Sequence, residues 1–406
     1  MSYMSSQAPE NTPSTKGLFG LFCLASYLLS LSYGTTFLLA LMLGSHGGSE
    51  SDAGTVISVA MLSTFLAVIF SGHLTDIIGA PRAIAAGGLT LMIACIGFAM
   101  TPTYGPALLI FGLILGFGWG VFYTLGPIIV AMIIEPARRV KYFALLSGSM
   151  MSGIGTGPLA GRGAVAMGYP VESAFVVAAA ASLLGAVVFF LIAPKIRLQQ
   201  AVLGPVAVCR ITTGAAARVI RSKAFFPIVM VGLGGAIFGG LSSFQTSYAA
   251  LHHLDYSLFF LGFMCAAISC RLLIAGFIVK RDAYLSSCVL TSLMIVSILM
   301  FVFSVESPFS YLLAAIILGV GYGLTYSVIN GLAANEAPNG LTAQSLLLFS
   351  LSYFVGVFGF PLLAGKIIVA YGMPSLLYTI LSVSLLNGCI ALGRLAWRKV
   401  AVAAIA

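Results

Sequence analysis

The sequence predicts an all-α integral membrane protein with twelve transmembrane helices, arranged as two pseudo-symmetric bundles of six. Three observations predict this fold: the composition, the spacing of the apolar runs and an internal repeat. Apolar residues make up 60% of the 406 residues and charged residues only 7%, whereas soluble domains have roughly 45–50% and about 25%. A chain with so few charges and so many apolar residues is typical of proteins that span a lipid bilayer.

Twelve apolar runs are long enough to cross a bilayer, because one span requires about 20 mainly apolar residues. We number them spans 1 to 12, and they cover residues 18–43, 54–72, 83–101, 106–134, 142–167, 171–193, 224–251, 257–279, 285–304, 308–334, 341–371 and 373–394. The first run is longer than the apolar core of a signal peptide and no small-residue cleavage site follows it. We therefore interpret it as a true span.

The distribution of Lys and Arg predicts the orientation, since cytoplasmic loops carry an excess of both. With a cytoplasmic N-terminus, the opposite side keeps only Arg162 and Lys366, and the other loop cations lie inside. The sequence thus predicts a multi-pass protein of the cytoplasmic (inner) membrane with both termini in the cytoplasm. The net charge of +9 is explained by this topology, and no basic soluble face with stacking aromatics indicates a nucleic-acid partner.

Five segments follow from this organisation. We expect a disordered cytoplasmic N-terminal tail (1–17), an N-terminal six-helix bundle (18–193), a basic cytoplasmic linker (194–223), a C-terminal six-helix bundle (224–394) and a cytoplasmic C-terminal tail (395–406). The linker contains several basic residues and no acid. It is expected to rest on anionic lipid headgroups.

The two halves repeat with a period of about 203 residues. Spans 4 and 10 share four residues at this spacing, with Gly116, Gly118, Gly120 and Tyr123 matching Gly319, Gly321, Gly323 and Tyr326. Spans 5 and 11 repeat the pattern and place Arg162 and Lys366 at equivalent positions. Two parallel halves related by an axis along the membrane normal are typical of secondary transporters, whose site lies at the midplane between them.

A short motif lies between spans 2 and 3. The stretch "GHLTDIIGAPR", residues 72–82, resembles the G-x-L-a-D-r-x-G-r-k motif of the major facilitator superfamily through Gly72, Leu74, Asp76 and Gly79, with Arg82 just beyond. Basic residues of the family pattern are replaced here by apolar ones. The resemblance implies a gate in which Asp76 makes a charge contact with the neighbouring helix and stabilises the outward-facing state.

A glycine-rich motif lies in span 5. "GIGTGPLAGR", residues 153–162, resembles the G-x-x-x-G-P-x-x-G motif of the antiporter branch of that superfamily through Gly153, Gly157, Pro158 and Gly161. Glycines at a spacing of four let another backbone approach closely, and Pro158 removes a backbone donor. The resemblance implies that this face seals against the other half of the molecule and limits leakage, with plain helix packing as the alternative.

One charge lies deep in a predicted span. Arg271 in span 8 is at least two helical turns from Lys280, and an ionised side chain inside the membrane is a functional-site hypothesis because its burial is costly. Guanidinium suits bidentate recognition of carboxylate or phosphate, which favours an anionic or zwitterionic solute. A structural arginine held by carbonyls and tyrosines, or one that snorkels to the cytoplasm, is the alternative.

Polar and aromatic residues suggest the lining of a central cavity. In the resembled family, helices 1, 4, 7 and 10 line the cavity, and here these spans offer groups that can hydrogen-bond a solute or stack on it. With Arg271, the candidate substrate-binding residues are Tyr33, Trp119, Tyr123, Gln245, Tyr248, Tyr326 and Asn330. For each tyrosine, inter-helix packing is an equally good interpretation.

The overall resemblance is to bacterial twelve-span drug and metabolite efflux permeases, which use rocker-switch alternating access and usually act as monomers. The leading hypothesis is export of a small amphipathic or carboxylate-bearing metabolite or drug, and the alternative is import or exchange of an organic anion. Coupling to a proton is in doubt, because Gly112 stands where the family places an arginine and no Asp or Glu lies deep in a span. A coupling ion of another kind remains open.

A membrane enzyme or metal-handling protein is the remote alternative. His252, His253 and Asp255 are the candidate metal ligands, but the ligand spacing of a zinc site is absent. The glycine clusters lie inside spans and lack the strand-then-helix context of a nucleotide loop. The sequence therefore predicts no enzyme activity, cofactor or metal, and only a small-molecule substrate, membrane lipid and a coupling ion as partners.

Overall fold

The computed structural model describes residues 15–134, 139–203, 212–273 and 282–403. These residues form helices joined by short turns, and no strand occurs among them. In chain order the helices are α1 (Thr15–Thr35), α2 (Leu39–Ser45), α3 (Glu50–Ile78), α4 (Ala80–Met100), α5 (Pro106–Ile133), α6 (Arg139–Ala166), α7 (Ser173–Leu203), α8 (Thr213–Ile220), α9 (Phe225–Ser243), α10 (Gln245–Leu251), α11 (Ser257–Leu273), α12 (Ala283–Phe303), α13 (Pro308–Asn335), α14 (Thr342–Phe354), α15 (Phe360–Tyr371) and α16 (Met373–Ala403).

The all-α membrane class is confirmed. Within the described ranges, ten helical segments are long and apolar enough to cross a membrane. The helix α11 is a shorter apolar helix, and α6 has 28 residues but includes more polar ones. The total of twelve spans stays a prediction, and the end of predicted span 8, residues 274–279, lies outside the described residues.

Three predicted spans are interrupted rather than continuous. A 3-10 turn, Thr36–Leu38, separates α1 from α2, Phe244 separates α9 from α10, and a π turn, Val355–Gly359, separates α14 from α15. At the first break, the hydroxyl of Thr36 donates to the carbonyl of Tyr33 at 2.6 Å. Such side-chain bonds compete with the helical backbone bonds and bend the helix.

Helices also extend into segments predicted as linker and tails. The helix α7 continues to Leu203 and α16 to Ala403, and α8 lies within the predicted linker. In α8, Ala215 and Val219 are buried while Arg218 is exposed, so the helix presents an apolar face to the bundle and a charge to its surroundings. Residues 1–14 and 204–211 of the predicted tail and linker lie outside the described residues.

Helices of each half pack mainly on one another. In the first half, α1 packs on α6 and α7, α3 on α5, and α4 on α5 and α7. In the second half, α11 and α12 pack on α13, and α9 packs on α14 and the π turn. The halves meet along two helix pairs, α3 with α15 and α6 with α11. We call the end that carries the turns 46–49, 167–172 and 252–256 the outer end, after the predicted orientation.

Glycines allow the helices within each half to cross in backbone contact. A Cβ atom on Gly153 of α6 would lie 2.2 Å from the carbonyl oxygen of Tyr27 in α1. In the second half, a Cβ atom on Gly356 in the π turn would lie 2.0 Å from the carbonyl oxygen of Gly232 in α9. Gly153 and Gly356 are separated by about 203 residues, so both halves close the same crossing in the same way.

A buried ion pair joins three helices at the inner end of the second half. The Nη2 atom of Arg394 in α16 donates to both carboxylate oxygens of Glu336, each at 2.5 Å, and the two side chains are only 7% and 10% exposed. The hydroxyl of Tyr284 also donates to Glu336. Glu135 and Arg138, at the corresponding end of the first half, lie outside the described residues.

Candidate substrate site

Two equivalent tyrosines meet at the centre of the molecule. The hydroxyl oxygens of Tyr123 in α5 and Tyr326 in α13 are 2.8 Å apart, and the two residues are separated by 203 positions, the period of the sequence repeat. Residues related by a twofold axis contact each other only at the axis. The Tyr123–Tyr326 pair therefore marks the axis that relates the two halves.

Aromatic rings surround this pair. We define the central aromatic cluster as Tyr33, Trp119, Tyr123, Tyr322, Tyr326 and Tyr353. Tyr33 stacks on Trp119 with ring centroids 4.8 Å apart, and Tyr123 stacks on Tyr353 at 5.9 Å. The hydroxyl of Tyr322 donates to that of Tyr353 at 3.2 Å. The cluster joins α1, α5, α13 and α14, and its hydroxyls and ring faces suit a solute with both polar and aromatic parts.

Arg271 lies beside the cluster and reaches across the two halves. Its side chain is 5% exposed. The Nε atom donates to the carbonyl oxygen of Gly323 at 3.0 Å, Nη1 donates to the hydroxyl of Ser147 at 2.5 Å, and Cζ lies 5.7 Å from the ring centroid of Tyr326. Both acceptors are neutral, and no carboxylate in the described part of the chain pairs with this guanidinium.

The depth of Arg271 follows from its bond to Gly323. Gly323 lies twelve residues before Asn335, the end of α13, which is about 18 Å along a helix at 1.5 Å per residue. Since the hydrocarbon core of a bilayer is about 30 Å thick, the guanidinium lies near the midplane. A charge there costs about 2.5–3.5 kcal/mol, so an anionic ligand that neutralises it gains a correspondingly strong interaction.

The other predicted binding residues are distributed differently. The Oε1 atom of Gln245 accepts from Tyr311 at 2.7 Å, and the hydroxyl of Tyr248 donates to the carbonyl of Phe301 at 3.0 Å. Both side chains are buried among α10, α12 and α13 towards the outer end, away from the cluster. Asn330, one turn beyond Tyr326, is half-buried. The structure thus brings Tyr33, Trp119, Tyr123 and Tyr326 together with Arg271, but not Gln245 or Tyr248.

Two residues of the site were not identified from the sequence. Tyr353 lies two residues before the π turn, and π turns inside α-helices frequently occur at functional sites, but the turn is not visible in the apolar run. Ser147 stands in "SGSMMSG", which suggests only close packing. For both residues, the missing information was the direction in which the side chain points.

The motif between α3 and α4 forms a one-residue connection at the inner end. Gly79 has φ +81°, and a Cβ atom there would lie 2.8 Å from Nη2 of Arg197. That nitrogen donates to the carbonyl oxygen of Ile78 at 2.5 Å. The positive φ therefore favours glycine at this position, whereas the end of the exposed Arg197 side chain would only need to shift.

The other members of the same motif differ in exposure. Gly72 is buried within α3, whereas Asp76 and Arg82 are exposed at the inner end. Charged side chains in this position are accessible to a neighbouring helix that moves. The gating role of Gly72, Asp76, Gly79 and Arg82 stays a prediction.

The glycine motif of α6 faces a different partner from the one expected. Gly153, Gly157 and Gly161 contact α1 of the same half, where a Cβ on Gly157 would lie 2.5 Å from the backbone of Gly34. The prediction that these glycines pack against the other half was wrong, because they lie on the face of α6 that packs within its own half. Gly155 is the residue that meets Met264 of α11 across the halves, with a Cβ distance of 2.5 Å. The sealing role of the motif, including Pro158, stays a prediction.

Contacts between the halves close the outer end. Arg162 Nε donates to Asp255 Oδ2 at 2.8 Å, and the hydroxyl of Ser247 donates to Glu50 Oε1 at 3.0 Å. Burial of Asp255 opposes its ionisation, but the hydrogen bonds from Arg162 and Ser257 outweigh burial and lower its pKa. Among the described residues, the hydrogen bonds between the halves lie at the outer end or near the middle, so the conformation is closed to the outside.

Known proteins share this fold. A crystal structure of the human organic anion transporter MFSD10 (TETRAN) matches with a TM-score of 0.69 and 16% identity, covering 93% of this chain and 100% of that one. A crystal structure of a mutant of the peptide transporter POT matches with a TM-score of 0.73 and 20% identity, covering 93% and 94%. At these identities the likeness concerns the fold alone.

Sequence comparison identifies the family. An uncharacterized MFS-type transporter of Bacillus subtilis, YddS, is 29% identical over 136 residues, which is 32% of this chain and 30% of that protein. The chain thus matches less than a third of the length of that relative. The profile of the Major Facilitator Superfamily matches residues 19–361, most of the chain. The protein therefore belongs to the Major Facilitator Superfamily, a family of membrane transporters rather than enzymes.

Proposed function

We propose that this protein exports a small amphipathic or carboxylate-bearing metabolite or drug across the cytoplasmic membrane, as a secondary active transporter with rocker-switch alternating access. The observation that carries the proposal is Arg271. Its guanidinium is buried near the midplane and bonded to two neutral oxygens, Ser147 Oγ and Gly323 O. A planar, permanently charged donor in this setting favours a carboxylate, which it can bind through two parallel hydrogen bonds.

The aromatic cluster supports an amphipathic solute. Tyr326 offers a ring face next to the guanidinium, Tyr33 and Trp119 stack on each other in the same cluster, and tyrosine hydroxyls offer donors and acceptors. Such a site binds a molecule that joins an anionic group to an apolar or aromatic body. A purely lipophilic cation is disfavoured, because Arg271 would repel it in a medium of low dielectric constant.

Alternating access is supported by the arrangement of the halves. We propose twelve spans in two six-helix bundles, residues 18–193 and 224–394, joined by the cytoplasmic linker 194–223. In support, the helices of each half pack mainly on one another, and most contacts between the halves lie along two helix pairs, α3 with α15 and α6 with α11. The outer closure by Arg162–Asp255 and Glu50–Ser247 corresponds to one end state of a rocking motion.

The direction of transport is proposed from the α6 motif, which resembles that of antiporters. Among the described residues, carboxylates occur at helix ends and not in the middle of a span, so we assign coupling to no membrane-embedded acid. The gating residues proposed are those of the 72–82 and 153–162 motifs. Both termini are proposed to be cytoplasmic, and the protein is proposed to act as a monomer.

An untargeted comparison of metabolites inside and outside cells tests the proposal. Cells would express wild-type protein, Arg271→Ala, or Arg218→Ala as a matched control that removes an exposed arginine of α8. We expect an organic anion enriched outside with the wild type and the Arg218→Ala control, but not with Arg271→Ala. Accumulation inside would instead indicate an importer or exchanger, and anion transport that is equal in all three proteins would contradict the role of Arg271.

A further inference from the structure

The halves join along two seams, one between α6 and α11 and one between α3 and α15 with the π turn. Met61 in α3 and Met264 in α11 are equivalent, 203 positions apart, and each meets a glycine of the other half. A Cβ atom on Gly155 of α6 would lie 2.5 Å from Cγ of Met264, and one on Gly359 would lie 3.2 Å from the sulfur of Met61. These two glycines are 204 positions apart, so span 11 has gained one residue relative to span 5.

The extra residue lies in the π turn. Gly153 and Gly356, which close the equivalent crossings within each half, are still 203 positions apart. The spacing therefore changes between Gly356 and Gly359, within the turn Val355–Gly359. A π turn closes its hydrogen bonds over five residues rather than four, so it absorbs an inserted residue without moving the rest of the helix to another face. In the first half, α6 runs through this position as an uninterrupted α-helix.

A hydroxyl from the other half binds the π turn. Ser58 in α3 is 7% exposed and donates to the carbonyl oxygen of Phe358 at 2.5 Å. It lies one turn before Met61, on the same face of α3. At the other seam the equivalent residue is Leu261, which has no donor, and the facing helix forms no π turn. Since a side chain that binds a helical carbonyl competes with the backbone bonds of that helix, Ser58 favours the turn.

The π turn decides where Tyr353 points. After the turn, α15 lies in close contact with α3, because a Cβ atom on Gly365 would be 2.3 Å from the carbonyl oxygen of Glu50. Before the turn, Tyr353 stacks on Tyr123 with ring centroids 5.9 Å apart. Converting the turn into regular α-helix shifts the frame by one residue, which is about 100° of rotation at 3.6 residues per turn. With α15 in place, Tyr353 would then leave Tyr123.

The bond of Ser58 belongs to the closed outer end. Ser58 is eight residues from Glu50 in α3, which is about 12 Å along the helix. Glu50 itself accepts from Ser247 in the outer closure. Opening of the outer end moves this part of α3 away from the second half, so it removes the donor from Phe358.

We propose that Ser58 is a positioning residue of the substrate site, which it completes from the other half of the molecule. While the outer end is closed, Ser58 keeps the π turn and thereby the place of Tyr353 in the central aromatic cluster. When the outer end opens, Tyr353 turns away, and the site loses affinity for an amphipathic anion on the side where an exporter releases it. The inference rests on the proposed function, since it takes Arg271 as the anchor of the anion.

Binding of acetate and phenylacetate tests the inference. Both acids would be titrated by calorimetry into the purified full-length protein in detergent. The variants are Ser58→Ala, which removes the donor, Ser58→Thr, which keeps it, and Ser63→Ala as a matched control. Ser63 is also 7% exposed in α3, but its hydroxyl donates to the carbonyl oxygen of Ala60 within its own helix at 3.1 Å.

We expect Ser58→Ala to bind phenylacetate about fivefold more weakly than the wild type, because the ring of the ligand loses its aromatic contact with Tyr353. Its affinity for acetate should be unchanged, since acetate requires only the guanidinium of Arg271. Ser58→Thr and Ser63→Ala should bind both acids as the wild type does, and Arg271→Ala should lose affinity for both.

Protection from labelling is a second readout, which a loss of stability alone would not change. A membrane-impermeant maleimide would label Ser51→Cys at the outer end of α3, with the native cysteines replaced. A ligand that binds the closed state about fivefold more tightly should slow labelling about fivefold at saturation. Phenylacetate should therefore protect the wild type and Ser58→Thr, whereas Ser58→Ala should lose most of this protection. Labelling of the wild type that phenylacetate leaves unchanged would overturn the inference, even if Ser58→Ala failed to fold.

Two outcomes separate this inference from the proposed function. Phenylacetate binding that Arg271→Ala abolishes but Ser58→Ala leaves unchanged would overturn the role of Ser58 and preserve the anion site. Binding of both acids that is unaffected by Arg271→Ala would overturn the anion site. In that case, protection that is lost in Ser58→Ala would still support the role of Ser58, and protection that is kept would overturn it.

Discussion

The helices α5 and α13 hold equivalent tyrosines, Tyr123 and Tyr326, but the residues around them differ between the two halves. One turn before these tyrosines stand Trp119 and Tyr322, and immediately before them stand Phe122 and Thr325. The first half places the large ring of Phe122 against Trp119 and Phe189, whereas the second half has Thr325 in the wall of a small recess beside Gly234 and Tyr326.

The buried charge shows the same asymmetry. Arg271 belongs to the second half, and the residue 203 positions before it is Val68, which is buried. The features shared by both halves are the axial tyrosines and the glycine crossings, which serve packing. Among the described residues, buried charge occurs in the second half alone, and the charge of Arg271 suits recognition of an anion. Repeated halves can therefore share a framework while only one of them distinguishes the ligand.

The largest loss of folded protein is expected for substitutions at the two glycine crossings, where the halves are most alike. Gly153→Ala and Gly356→Ala each place a Cβ atom within 2.2 Å of a backbone oxygen, so either variant must push two helices apart. We expect both to lose most of the folded protein, measured as the monodisperse fraction on size-exclusion chromatography. Gly163→Ala and Gly331→Ala, whose Cβ atoms meet nothing within 4 Å, should elute as the wild type does. A folded, active Gly356→Ala beside an unfolded Gly153→Ala would show that the two crossings are not equivalent.

The next largest effect is a loss of stability at the inner end of the second half, where a buried and an exposed ion pair lie close together. The Glu336–Arg394 pair is buried, and the Asp282–Arg398 pair is exposed. Arg394→Ala leaves a buried carboxylate without its partner and should lower the free energy of unfolding by about 3–5 kcal/mol. Arg398→Ala, one turn away in an exposed pair, should change it by no more than about 1 kcal/mol. Thermal unfolding in detergent measures both, and equal losses would remove the distinction between the buried and the exposed pair.

The axial tyrosines should differ in binding despite their shared hydrogen bond. Tyr123→Ala and Tyr326→Ala both remove that bond, but only Tyr326 lies against Arg271 and lines the recess. We expect phenylacetate affinity, measured by calorimetry, to fall about tenfold in Tyr326→Ala and about twofold in Tyr123→Ala. A larger loss in Tyr123→Ala would place the binding surface in the first half.

The smallest effect is expected on cysteine labelling at the outer closure, where the contacts of Arg162 with Asp255 and of Ser247 with Glu50 join the two halves. Asp255→Asn weakens the pair with Arg162 and should raise labelling of an introduced Ser51→Cys by a membrane-impermeant maleimide at most about fivefold, because exposed ion pairs contribute little. The native cysteines would be replaced in this background. Asp52→Asn is the control, since Asp52 accepts from Ser49 within its own helix cap at 2.8 Å. Equal labelling in both variants would exclude Asp255 from the closure.

The pH dependence of the same labelling follows from the lowered pKa of Asp255. A carboxyl whose pKa is lowered in the closed state stabilises that state above its usual pKa of 3.8, and the contribution is lost as the pH falls through the lowered value. The ratio of labelling in the wild type to labelling in Asp255→Asn at the same pH, in which the pH dependence of thiolate reactivity cancels, should therefore be constant from about pH 8 to about pH 5. A rise within that window would assign the closure to a different titrating group.

Much of the fold was predictable because it depends on composition. Apolar runs predict spans wherever they occur, and the all-α membrane class is confirmed. Arg271 was recognisable because a charged residue within a long apolar run can be identified from the sequence alone. The helix interruptions at Thr36–Leu38 and Val355–Gly359 were not predictable. They depend on which backbone carbonyls bond to a side chain or contact a neighbouring helix in the folded protein, and the sequence does not show this.

The site was predictable in part, for a related reason. A helix of apolar residues on all sides gives no hydrophobic face from which to read direction. Tyr33 and Tyr326 reach the centre, whereas Gln245 and Tyr248 pack within the second half, although all four have similar surroundings in the sequence. The recess depends on an empty volume at Gly234, which only the assembled helices define.

The tyrosine pair on the axis also explains where the charge can be. A residue on an internal twofold axis that arose by duplication faces a copy of itself, so it must be complementary to its own kind. A phenol meets this condition, because its hydroxyl both donates and accepts. A guanidinium does not, since two of them would repel each other in a medium of low dielectric constant. A duplicated transporter that recognises a charged solute must therefore place its counter-charge off the axis, as Arg271 is placed, and must give up part of its symmetry to do so.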